Sequence, residues 1–112
     1  MYIKETREFG ANIAEMLKLS EEEPVIINRG KKGMITICRV PLYMKQLSKP
    51  WNTFRIRAFR ENLSDILDKA SETIIFVQNS KKILFQVSPV PKEYERDILT
   101  SRTDAFGKVY NC

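Results

Sequence analysis

The chain has 112 residues, 43% of them hydrophobic, with nineteen Lys and Arg against fourteen Asp and Glu for a formal net charge of +5. That is the length of one ordinary domain with enough apolar material to build a core, and the charge permits contact with nucleic acid without demanding it. With no histidine and only two cysteines, Cys38 and Cys112, the usual nucleophile triads, imidazole acid-base chemistry, disulfide frameworks and four-ligand zinc sites lose their parts.

No apolar run approaches the roughly 20 residues that cross a bilayer, and the first residues are charged, so neither a membrane span nor a secretory signal is expected. The expectation is a cytoplasmic, non-enzymatic protein without cofactor or metal. Glu15, Asp65, Asp68 and Glu72 suit capping and solubility on polar helix faces better than an acid pair or metal site.

In chain order, Tyr2 to Glu5 reads as an extended start, followed by a short helical turn ending at Asn12. Asn12 suits an N-cap whose side-chain oxygen accepts from free helix amides, with Glu15 at the capping-box position. Ile13, Met16 and Leu17 then fall on one face of a second helix. Glu21 to Glu23 end it as an acidic, solvated stretch that would point away from a phosphate backbone. Val25 to Arg29 and Met34 to Val40 read as a hairpin around Gly30-Lys31-Lys32-Gly33, because glycine tolerates the positive φ of tight turns. Pro41 opens a short helical stretch over Leu42 to Leu47.

The same order then recurs. Arg57 to Leu67 matches Arg7 to Leu17 at an offset of 50, with Arg, Phe, Asn and Leu identical. Dropping one residue near Glu23 sets Pro24-Val25-Ile26-Ile27 beside Thr73-Ile74-Ile75-Phe76, an offset of 49. The second copy has an extended start over Thr53 to Arg57, Asn62 as N-cap with Asp65 three residues on, and a helix with Ile66, Leu67 and Ala70 inward. A hairpin of Ile74 to Gln78 and Ile83 to Val87 around Asn79-Ser80-Lys81 follows, and Pro91 opens a helix over Lys92 to Leu99. This divides the chain into units 1–47 and 53–99, a linker 48–52 in which Trp51 packs against the domain, and a tail 100–112. A unit of about 45 residues exposes one apolar face and needs a partner, for which the other copy is the obvious choice.

This ordered set, with the phrase Ala58-Phe59-Arg60-Glu61-Asn62-Leu63-Ser64-Asp65-Ile66-Leu67, resembles the N-terminal unit of the prevent-host-death (Phd/YefM) antitoxin family, over residues 2 to 47 and again over 53 to 99. The resemblance implies an α+β fold of two tandem units forming an intramolecular pseudo-dimer, a form in which one chain, or a homodimer of it, reads a DNA operator as a transcriptional repressor. Family units place one basic residue before the capped helix and another at the hairpin. The first is met by Arg60 but is Gly10 in the first copy; the second is met by Arg29 but falls near Gln78 in the second. With the basic turns and helix start added, the expected DNA-binding residues are Arg29, Lys31, Lys32, Arg57, Arg60, Lys81 and Lys82.

Family antitoxins continue into a long toxin-binding segment, where this chain has only Thr100 to Cys112. Phe106, Val109 and Tyr110 are the tail's candidate partner-binding residues. The alternative reading is therefore a protein inhibitor on the antitoxin scaffold, neutralising a toxin or other effector without binding DNA.

Overall fold

Val25 to Asn28, Met34 to Arg39, Ile75 to Gln78 and Leu84 to Pro89 are strands because they are short, rich in β-branched and aromatic residues, and bounded by turns. In the computed structural model, which describes residues 2–40 and 42–99, these four and two outer strands make one mixed six-stranded sheet of an α+β fold. The elements are β1 (Tyr2–Glu5), α1 (Thr6–Ala11), α2 (Ile13–Leu19), β2 (Val25–Asn28), β3 (Met34–Arg39), β4 (Thr53–Arg55), α3 (Ile56–Glu61), α4 (Leu63–Ala70), β5 (Ile75–Gln78), β6 (Leu84–Pro89) and α5 (Lys92–Leu99). Short 3-10 segments, Gly30–Lys32 and Leu42–Leu47, complete the connections.

The sheet order is β1-β2-β3-β6-β5-β4. Each outer strand runs parallel to its neighbour, as the helical crossover between them requires, and each hairpin is antiparallel. The halves meet where β3 pairs antiparallel with β6. There Ile37 faces Val87, Ile35 faces Pro89 and Arg39 faces Phe85. Ile37 and Val87 are fifty positions apart, and the pairs on either side of them are reciprocal.

Strand pairing corrects the repeat offset. Val25 opposes Ile37 as Ile75 opposes Val87, and Ile27 opposes Ile35 as Val77 opposes Phe85. The offset is therefore 50 through the hairpins, with no residue dropped near Glu23, and Arg29 corresponds to Asn79 rather than to Gln78.

One face of the sheet carries the main core. Val25, Ile27, Ile35, Ile37, Ile75, Val77, Phe85 and Val87 point to the face covered by α1 to α4, where Phe9, Ile13, Leu17, Phe59, Ile66 and Leu67 meet them. Side chains three and four apart on α2 and α4 supply this stripe. Phe9 and Phe59 touch edge to face, with centroids 6.0 Å apart at 76°. On the opposite face Ile26 and Met34 pack with Val90, Ile3 and Tyr94, the last from α5.

Three local expectations change. Asn12 and Asn62 each stand between two helices, but neither side chain caps the second. With φ near −136° and −124°, and ψ of 42° and 35°, they lack the extended backbone of an N-cap, and their side-chain amides donate backwards to Glu8 O and Ala58 O. The extended start of the second half ends at Arg55, so Arg57 is helical. Trp51 is 73% exposed; buried Asn52 anchors the linker instead, accepting from Lys49 N–H at 2.7 Å and, through its backbone carbonyl, from Phe76 N–H at 2.8 Å.

Candidate nucleic-acid interface

The sheet presents two hairpin tips, and their local chemistry differs. At the first, Asn28 Oδ1 accepts from Gly30 N–H at 3.0 Å, and Gly33 O from Arg29 N–H at 2.9 Å. Gly30 and Gly33 take the positive φ values, +66° and +90°, that this turn needs. Arg29 does not reach out from it. Its side chain is 5% exposed and its Nη2 donates to Asp68 Oδ1 of α4 at 2.9 Å. Lys32 Nζ lies 3.5 Å from the same oxygen.

The hydrogen bond from Arg29 holds the Asp68 carboxyl below the usual carboxylate range; partial desolvation opposes it and the Lys32 charge adds to it. Arg29 Nη1 is buried without a hydrogen-bond partner among the described residues. Among the basic residues expected at this tip, only Lys31 is both exposed and outside an ion pair among the described residues.

At the second tip, Asn79 Oδ1 accepts from both Lys81 N–H and Ile83 N–H at 2.9 Å. Asn79 O accepts from Lys82 N–H at 3.0 Å. These bonds hold Lys82 at φ +63°, the one non-glycine residue with positive φ among those described, a conformation that costs a side chain about 1–2 kcal/mol. Lys81 and Lys82 are both exposed.

Three clefts open around this second tip. One of about 410 Å³ is lined by Arg55, Arg57, Gln78, Asn79 and Lys82. Another, about 340 Å³, is lined by Arg39, Lys45, Lys81, Lys82 and the Ile83–Leu84 edge. The third, about 230 Å³, lies against α2 and brings Lys18 and Glu21 beside Lys81. Glu21 therefore faces the basic tip instead of pointing away from it. Arg57 carries an i,i+4 ion pair to Glu61 at 3.2 Å, with its side chain 89% exposed. Among the described residues, no ion pair holds Arg39, Lys45, Arg55, Lys81 or Lys82.

Arg57, Lys81 and Lys82 are thus brought together with Arg55, whose sequence context fits a phosphate contact and a half-buried strand equally, and with residues that sequence reasoning had not assigned to the site: Arg39, Lys45 and Lys18. Arg60 is exposed in the last turn of α3 but lines none of these clefts. Arg39 could be found only from the strand order, because β3 reaches the second hairpin through its pairing with β6. Phe106, Val109 and Tyr110 lie outside the described residues.

Chemically the surface offers ammonium and guanidinium groups as donors to an anion, with no imidazole anywhere in the chain. Among the described residues no cluster of three or more Cys, Asp or Glu could hold a metal ion, and no helix is long and apolar enough to cross a membrane. No family model, curated protein or solved structure matches the chain.

Proposed function

We propose that the chain is a DNA-binding transcriptional regulator of the prevent-host-death antitoxin type, with its two halves acting as an intramolecular pseudo-dimer. The reciprocal pairing of β3 with β6 supports the pseudo-dimer, because residue i facing j while the equivalent of j faces the equivalent of i is the mark of a twofold interface. The observation that carries the function is the second hairpin tip, where exposed Lys82 lines one cleft with Arg55 and Arg57 and, with exposed Lys81, another with Arg39 and Lys45. Cations so placed fix a protein on a phosphate backbone, while the projecting turn reaches toward the base edges. Arg29, held on Asp68, supports the fold instead.

The test is selection of bound duplexes from a random DNA pool by the purified protein, followed by salt titration of the winner. A selected motif bound by the protein but released by Lys81→Ala/Lys82→Ala supports the regulator. Failure of a folded sample to enrich any sequence excludes it. A second reading, a protein inhibitor on the same scaffold, is favoured by two exposed apolar side chains in and next to the linker, Trp51 at 73% and Leu47 at 46% exposure. In that case Trp51→Ala weakens capture of the protein partner and leaves DNA selection empty.

A further inference from the structure

At three pairs of equivalent positions the two tips carry opposite charges, while Arg7 and Arg57, Lys31 and Lys81, and Lys32 and Lys82 are basic at both. Glu5 lines the cleft at the first tip, and Arg55, fifty positions on, lines its counterpart at the second. Asp68 of α4 binds the first tip, whereas its equivalent on α2, Lys18, lies beside the second. Glu95 of α5 reaches the first hairpin, with Oε1 3.2 Å from where a Cβ on Gly33 would stand, and its equivalent, Lys45, lines the cleft at the second. Arg39, at the second tip, has Pro89 as its counterpart. Three acids at the first tip thus stand where the second tip has three bases, and Glu21 is the acid that lines a cleft at the second.

Resting on the regulator reading, we infer that DNA binding is one-sided: a single phosphate tract crosses the second tip, and the first tip takes no part. The tract runs from Arg39 and Lys45, over Lys81 and Lys82, to Arg55 and Arg57. Lys82 lines the clefts at both ends of it. A symmetric reader places equal charge at both tips and protects two related half-sites. This molecule protects one continuous stretch without a palindrome. Asp68 matters to the closed side because it neutralises Lys32 and holds Arg29 inward. Lys82 matters to the open side because a lysine stands where glycine would relieve the turn, which places a cation at the apex at a conformational cost.

The experiment uses the full chain and a duplex of about 25 base pairs carrying the selected sequence. With six phosphate contacts, affinity falls roughly 10³-fold between 50 and 200 mM salt. Lys81→Ala/Lys82→Ala and Arg39→Ala/Lys45→Ala each lower the salt slope by about 2 and weaken binding at least tenfold, while Lys31→Ala/Lys32→Ala changes it less than about threefold. Asp68→Asn frees Lys32 and steepens the slope by up to about 1. Lys82→Gly separates charge from fold: it raises the thermal midpoint and still weakens binding. Hydroxyl-radical footprinting shows one protected stretch.

Equal losses from Lys31→Ala/Lys32→Ala and Lys81→Ala/Lys82→Ala, or two protected half-sites, overturn the one-sided tract and leave the regulator standing. Absence of duplex binding at any salt overturns both. Preference for single-stranded RNA or an acidic protein over the duplex also overturns the proposal.

Discussion

Thr36, in the middle of β3, is fully buried, and its hydroxyl has no hydrogen-bond partner among the described residues. An unmet hydroxyl in a packed interior costs about 1–3 kcal/mol, and valine has nearly the same shape. Thr36→Val is therefore expected to stabilise the fold by about 1 kcal/mol, read as a higher urea midpoint at an unchanged slope; a lower midpoint would mean that the hydroxyl is satisfied after all. Asp68 gives a second residue-scale prediction. The Arg29 hydrogen bond lowers its folded-state pKa, so the unfolded chain binds the proton more readily. The stabilisation is fully present above the ordinary carboxylate value of about 4 and is lost as pH falls through the lower folded-state value. Acid titrations of the wild type and Asp68→Asn should converge only below that window. A constant gap between the two curves down to the lowest pH rules out the linkage.

At the scale of elements, the joint between the halves depends on aromatic packing as well as on the β3–β6 ladder. Phe9 and Phe59 are both fully buried and meet edge to face. Phe59→Ala should cost about 3–5 kcal/mol, and a double-mutant cycle with Phe9→Ala should show a coupling of about 0.5–1.5 kcal/mol. Additive losses would show that each ring serves its own half alone. The elements themselves were legible: β1 over Tyr2–Glu5, both hairpins and the helix Lys92–Leu99 stand where periodicity and prolines put them. The phase between copies was not. An offset of 49 sets Ile26 beside Ile75, yet Ile75 faces the helices and Ile26 the opposite face. Strands buried on both faces read as unbroken apolar runs, so no alternation fixes their phase, and a slip of one residue exchanges the faces. The asparagines misled differently, because residue type and position fit an N-cap while backbone dihedrals, invisible in sequence, send the side chain back to the preceding helix. At the site, the lysines at the turns were readable, but Arg39 and Lys45 join them only through strand order and the placement of the 3-10 segment.

Across the whole molecule, the two halves share one sheet. Cutting after residue 47 strips β3 of β6 and leaves its edge unpaired, while the buried rings of Phe9 and Phe59 lose each other. A short unit with an open strand edge and an uncovered aromatic ring lacks the burial to offset its chain entropy, and the edge invites pairing with another copy. Residues 1–47 made alone are thus expected to fold only by self-association, with β3 pairing to a second β3 in the place of β6. Circular dichroism of this fragment should gain helix and strand signal with concentration, and sedimentation should give a dimer across the same range. The full chain, with its partner strand supplied in cis, should show a signal independent of concentration. A fragment that is folded and monomeric at micromolar concentration would show that the first half closes its own core, and the β3–β6 ladder would then join two finished units rather than complete one.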